Sequence, residues 1–287
     1  MRVVEHAPLR AALAGIAHGT LEWLPVSSSG HVALLASAAR WPEAEPAHAR
    51  QLRTLEVALH TGSLLPLGWR AALELRRAGR RELQLRLLAA GAGATAITSV
   101  LGAAVGPAIE RRSGGPAAVA GGLAAGSLAL LLAERRAPLA CTAGEIRLAR
   151  LTAADVATLG LAQSVALWPG VSRRAATLAA ARARGYAPQD ASALSWLAGW
   201  PTLLGASAWQ GARDRAALRA AAPTVAAGVA ASAATGLLTR RLPDATARWP
   251  AAAWAAWRLA LAVATLRGSH TMRRVRSATT AGSAPPA

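Results

Sequence analysis

Lysine and phenylalanine are absent from this 287-residue chain, cysteine occurs once, and aromatic residues make up only 4%. The single Cys141 excludes an internal disulfide and any cysteine-based metal cluster, and it is expected to be inert in a basic loop. Without lysine, the net charge of +18 is carried by arginine alone, and alanine dominates the apolar positions. Arginine for lysine and alanine for larger aliphatics is the codon signature of a GC-rich genome and carries no functional message. An isoelectric point near 11.9 raises the question of nucleic acid. The arginines, however, lie in short loops between apolar runs, where anionic lipid headgroups are the natural counter-charge. Nucleic-acid binding is excluded on that basis. Residues 1–9 lack the basic start, apolar core and small-residue cleavage site of a signal peptide, so the apolar segments themselves are expected to direct insertion.

What is present is hydrophobicity in blocks. Mean hydropathy is +0.30, and apolar runs of roughly 18–20 residues recur, about the length that crosses a bilayer. An all-α polytopic membrane protein is expected, with about six transmembrane helices and two re-entrant helical hairpins. The expected spans are Leu55 to Leu73, Leu87 to Val105, Pro116 to Ala133, Asp190 to Trp209 with a kink at Pro201, Ala220 to Leu238, and Ala251 to Leu266. Pro107 to Gly115 reads as a turn. Thr152 and Asp155 read as a capping-box start. Trp41, Trp69, Trp209 and Trp249 fall near span ends, where an interfacial aromatic belt would place them. The membrane domain covers residues 1–267, in halves of about 8–133 and 152–267, and residues 268–287 are expected to form a basic, disordered tail. Arg-rich loops 74–86, 134–150 and 240–248 favour the cytoplasmic side, although the basic C-terminal residues then fall on the opposite side.

Two stretches interrupt short apolar helices with polar chemistry: Glu22 to His31 and Trp168 to Thr177. Half-length helices joined by a polar turn are tolerated in a membrane only where protein or water covers the free backbone groups. Gly15 to Ser27 aligns without gaps on Gly160 to Ser172, 145 residues later, with Gly, Ala, Trp, Val and Ser identical. Three spans per half would invert the second half relative to the first, and inverted repeats with broken helices set a polar site at the repeat interface.

The first stretch offers Glu22, Ser27, Ser28, Ser29 and His31, and the second offers Ser172, Arg173, Arg174 and Thr177. Arginine brings a fixed charge and a fork of donors suited to phosphate oxygens. The N-termini of the following half-helices add N–H groups and positive dipole. The chemistry that fits is an anion site with a nucleophile or base alongside, acting on a phosphate or diphosphate borne by a membrane lipid. Glu56 and His60, four apart on one helix face, are either a buried structural pair or a direct substrate contact.

Glu22-Trp23-Leu24-Pro25-Val26-Ser27-Ser28-Ser29-Gly30-His31 and Pro169-Gly170-Val171-Ser172-Arg173 through Thr177 resemble the undecaprenyl-diphosphate phosphatase family, the bacitracin resistance proteins. Glu56 to Ser63, Gly160 to Gln163 and Ser195 to Pro201 extend the resemblance over residues 10–266. It implies an inner-membrane hydrolase that removes the terminal phosphate of a polyprenyl diphosphate, recycles the lipid carrier for cell-wall synthesis and requires a divalent cation, Mg²⁺ or Ca²⁺. Carried onto this chain, it implies that Glu22, Ser28, His31 and Arg173 are catalytic, with Ser28 the nucleophile and His31 the acid/base. Ser27, Ser172, Arg174 and Thr177 would bind the diphosphate, and Glu22 with His18 would hold the metal. Two positions depart from the family pattern: His18 stands where a second Glu is usual, and Arg174-Ala175 where Ser-Gly is usual. Both make the pocket more anion-binding and less metal-binding. Weaker metal dependence, a changed substrate or lost activity are the expected consequences. A transporter or flippase of polyprenyl phosphate using the same anion site, or a catalytically impaired relative, is the alternative. Oligomeric state is left open.

Overall fold

The computed structural model describes residues 7–41, 49–113, 115–136, 148 and 151–281. Every regular element among them is helical. Cys141 and most of the loop around it lie outside the described residues.

The chain begins with a helical hairpin, α1 (Ala7–Leu21) and α2 (Ser28–Ala38). Three long helices follow: α3 (Ala49–Arg77), α4 (Arg81–Arg112) and α5 (Pro116–Arg136). A second hairpin, α6 (Ala153–Val165) and α7 (Arg173–Ala183), opens the other half of the chain. It leads into α8 (Pro188–Arg213), the short α9 (Arg215–Ala220), α10 (Ala222–Leu238), the single-turn α11 (Leu242–Ala245) and α12 (Ala251–Ala281). Among the described residues, two stretches, Arg81–Ile109 and Pro116–Arg136, are long and apolar enough by themselves to cross a bilayer.

The capping box at the start of α6 forms as expected: Thr152 Oγ1 accepts from the Asp155 N–H, and the Asp155 carboxylate accepts from the Thr152 N–H. Two helix ends and one tryptophan differ from the sequence reading. The expected turn at Pro107 is helical, and α4 runs on to Arg112. Proline removes one backbone hydrogen bond, and the helix carries on through it on the bonds that remain. The last helix continues from the expected end at Leu266 to Ala281, through the stretch expected to be disordered. Trp41 is buried against Ala11, Val32 and Leu59, whereas Trp69, Trp209 and Trp249 are exposed as an interfacial belt would be.

Packing crosses between the halves. The first arm of each hairpin lies on a long helix of the other half: α1 on α10, and α6 on α4. The second arms do likewise, α2 on α12 and α7 on α5. The helices α3 and α8 meet each other, as do α5 and α12. Small residues set these distances. A Cβ on Gly15 would lie 2.6 Å from the Gly228 carbonyl oxygen, and one on Gly160 would lie 2.8 Å from Ile97 Cβ and 3.0 Å from the Ala94 carbonyl. Close backbone approach of this kind replaces the hydrophobic drive that lipid surroundings cannot supply. Large apolar side chains such as Leu65, Val100, Leu161 and Leu238 are exposed on the outside. An apolar exterior around a polar centre is the arrangement that lipid solvates.

Candidate active site

Each hairpin turns on a serine. Ser27 has φ 69° and caps α2, its Oγ accepting from the Gly30 N–H at 3.3 Å. Ser172 has φ 66° and caps α7, its Oγ accepting from the Ala175 N–H at 3.3 Å. A left-handed conformation strains a residue with a side chain by about 1–3 kcal/mol, and such strain gathers at functional turns. Here it reverses the chain so tightly that the first residue of each following helix faces back across the turn.

Those first residues are Ser28 and Arg173, and they converge on one carboxylate. The Ser28 hydroxyl donates to Glu22 Oε2 at 2.5 Å. Arg173 Nη2 donates to Glu22 Oε1 at 2.7 Å, joining positions 151 residues apart. Glu22 is 8% exposed, so its charge is held in place by both partners and not by bulk water. Gly199 on α8 makes the room: a Cβ there would overlap Arg173 Nη1.

Behind Glu22 stand two imidazoles. His18 lies one helical turn earlier and is completely buried, with Nε2 3.8 Å from Glu22 Oε2. His60 of α3 packs edge-on against it, ring centroids 4.4 Å apart. His18, Glu22 and His60 each offer a ligand atom, and these lie within 4.8 Å of one another. Two nitrogens and one carboxylate oxygen are a poor shell for the expected Mg²⁺ or Ca²⁺, which take oxygen donors.

The other expected site residues lie apart from this cluster. His31 sits one turn beyond Ser28 and is held from both sides, Nδ1 on the Ser27 carbonyl at 2.8 Å and Nε2 accepting from Trp257 Nε1 at 2.9 Å. Arg174 turns away from Glu22 into the α7–α8 contact. There it donates to Ser192 Oγ and Ser195 Oγ, with its guanidinium 3.4 Å from the centre of the Trp196 ring. Helical geometry explains the split, since neighbouring helix residues point about 100° apart. Thr177 is fully buried in the same contact, its hydroxyl on the Arg173 carbonyl and on Ser195 Oγ. The expected placing of Arg174 and Thr177 against the diphosphate therefore meets side chains directed toward α8.

One central residue escaped the motif reading. Arg258 on α12 has no exposed surface. It donates from Nη1 to the Pro25 carbonyl in the first turn, at 3.1 Å, and from Nη2 to the Gly170 and Val171 carbonyls in the second, at 3.1 and 2.9 Å. Its Nε reaches Ser127 Oγ. Arg258 thus ties both turns to one helix. The signal was available: it is the only charge between Ala251 and Leu266, and a charge inside an apolar span marks a site.

Two broken hairpins meeting over a carboxylate, a hydroxyl and an arginine, inside a helical bundle with an apolar exterior, define a helical membrane protein with an anion-handling centre. The chain belongs to the family of the bacitracin resistance protein BacA, which it matches over residues 11–264. It is 32% identical over 217 residues to an undecaprenyl-diphosphatase of Verminephrobacter eiseniae, covering 74% of this chain and 76% of that protein. It is 30% identical over 224 residues to an undecaprenyl-diphosphatase of Methylibium petroleiphilum, covering 72% of this chain and 75% of the relative.

Proposed function

We propose that this chain hydrolyses undecaprenyl diphosphate to the monophosphate and inorganic phosphate, as a multi-pass enzyme of the bacterial inner membrane. The observation that carries the chemistry is Glu22, which accepts from Ser28 and from Arg173 at once. Glu22 takes the Ser28 proton as Oγ attacks the terminal phosphorus. The bond from phosphorus to the bridging oxygen breaks, and undecaprenyl phosphate leaves. Water then cleaves the phosphoserine and regenerates the hydroxyl. Arg173, anchored by one nitrogen, turns its remaining N–H groups to the phosphoryl oxygens, where charge must be stabilised during transfer. Ser27 and Ser172 set the two turns, and Arg174 and Thr177 act by fixing α7 on α8. In the cell this reaction recycles the lipid carrier for cell-wall synthesis and confers bacitracin resistance.

The crossed packing of α1 on α10 and α6 on α4, with α2 on α12 and α7 on α5, supports an inverted repeat whose interface holds the site. On that reading both hairpins are re-entrant and six helices span.

The test is phosphate release from polyprenyl diphosphates by the purified protein in detergent. Glu22→Gln, Ser28→Ala and Arg173→Ala are each expected to lower kcat by roughly a hundredfold or more. Absence of release by the unsubstituted chain, together with movement of polyprenyl phosphate across vesicles, would replace the hydrolase with a transporter.

A further inference from the structure

We infer that His18, His60 and Glu22 bind a divalent transition ion of the Zn²⁺ class in preference to Mg²⁺ or Ca²⁺. The site is shared with the phosphatase reading, but the inference needs no turnover.

The hydrogen positions carry the argument. His18 is completely buried, and its Nε2 has no hydrogen-bond partner. Its Nδ1 faces Ser63 Oγ at 3.2 Å and Ser232 Oγ at 3.5 Å. Both hydroxyls can place their protons on the Leu59 carbonyl, Ser63 at 3.3 Å and Ser232 at 2.9 Å. The two hydroxyls also meet each other at 3.0 Å; with both protons on the Leu59 carbonyl, which only accepts, their oxygens receive from His18 Nδ1–H. That assignment puts a bare lone pair on Nε2, pointing at Glu22 Oε2 from 3.8 Å. Two acceptors then face each other in a buried space, and a cation between them resolves the conflict.

His60 repeats the pattern. Its Nδ1 lies 2.8 Å from the Glu56 carbonyl and must donate, which leaves Nε2 as its lone-pair atom. Each imidazole is therefore fixed through its second nitrogen, as metal-binding histidines are. The ligand atoms lie within 4.8 Å of one another. At that limit each sits about 2.8 Å from a common centre, and a shift of less than about 1 Å brings it to the roughly 2.1 Å of a zinc bond. Two imidazoles and one carboxylate form the three-ligand set that holds zinc with a fourth position open. Imidazole donors select Zn²⁺ and its neighbours, whereas Mg²⁺ and Ca²⁺ favour oxygen alone.

The experiment uses tag-free, full-length protein in detergent, stripped with a chelator and then titrated with Co²⁺ and Zn²⁺ in excess Mg²⁺ and Ca²⁺. The expected result is one tightly held ion per chain by elemental analysis, with the visible absorption bands of Co²⁺ bound by nitrogen and oxygen. His18→Ala and His60→Gln should each weaken binding at least about a hundredfold, and His31→Ala should leave it intact. His18→Glu supplies an oxygen donor at the same place, and should move the preference toward Mg²⁺ and Ca²⁺ while the protein still elutes as folded material. Binding unchanged by His18→Ala and His60→Gln, or displaced by equimolar Mg²⁺, overturns the inference. Phosphate release by ion-free protein in Mg²⁺, together with no Co²⁺ or Zn²⁺ held at the site, overturns it and leaves the phosphatase standing. A bound ion without phosphate release keeps the metal site and removes the phosphatase.

Discussion

Arg258 and Gly199 separate two ways in which one residue governs the Glu22 centre. Arg258 serves carbonyls of both turns and of α5 from a single guanidinium. Removing it strands buried acceptors, a loss on the order of 3 kcal/mol or more. Arg258→Ala should therefore lower the melting temperature in detergent and abolish phosphate release together. Arg258→Lys should recover little, because an ammonium on a flexible stem cannot span both turns. Gly199 acts through space alone. Gly199→Ala places a methyl where Arg173 Nη1 lies, so Arg173 is displaced from Glu22. The expected outcome is a fall in kcat of about tenfold or more, with a melting temperature close to that of the unsubstituted protein. Arg174 gives the opposite profile: buried over Trp196, it should cost stability when replaced by Ala, while KM for polyprenyl diphosphate changes little.

Among the elements, the hairpins hold the strain and the long helices hold the positions. Ser172 combines a left-handed backbone with a helix cap, so its two contributions can be parted by substitution. Ser172→Gly gives up the cap but relieves the backbone, and should change stability by only a few tenths of a kcal/mol. Ser172→Ala keeps the strain and loses the cap, and should cost about 1–2 kcal/mol in a chemical-denaturation series. The start of α6 was legible because a capping box is local, with Thr152 and Asp155 three residues apart in the chain. The ends of α4 and α12 were not. Pro107 and the residues after Leu266 read as breaks or irregular chain by local propensity, which is a weak guide to where a helix ends.

For the whole molecule, the contacts between helix ends assign loops to faces. Glu134 at the end of α5 accepts from the Ala251 N–H at the start of α12, at 3.2 Å. Asp244 of α11 pairs with Arg70 near the end of α3, at 3.0 Å. The loops after α3, after α5 and before α12 therefore share one side, the side rich in arginine. On the inverted-repeat reading that side is cytoplasmic. Single cysteines at Arg80 and Arg248, in a Cys141→Ala background, should resist a membrane-impermeant maleimide in intact cells. Cysteines at Arg112 and Arg215 should react. Labelling of Arg80 and Arg215 variants alike would contradict that topology.

By itself the sequence determined the chemistry to be gathered: a Glu-Ser-Ser-His turn, a Ser-Arg turn 145 residues later, and apolar runs around both. These were readable because spacing within a turn or helix places residues without reference to anything distant. Tertiary structure decided which of them meet. It set Ser28 and Arg173 on Glu22, sent Arg174 into α8, and held His31 between Ser27 and Trp257. It also brought His60, Ser63 and Ser232 around His18 and ran Arg258 beneath both turns. Such partners come from helices far apart in the chain. Their choice rests on the crossing distances that small residues allow, which no local pattern encodes.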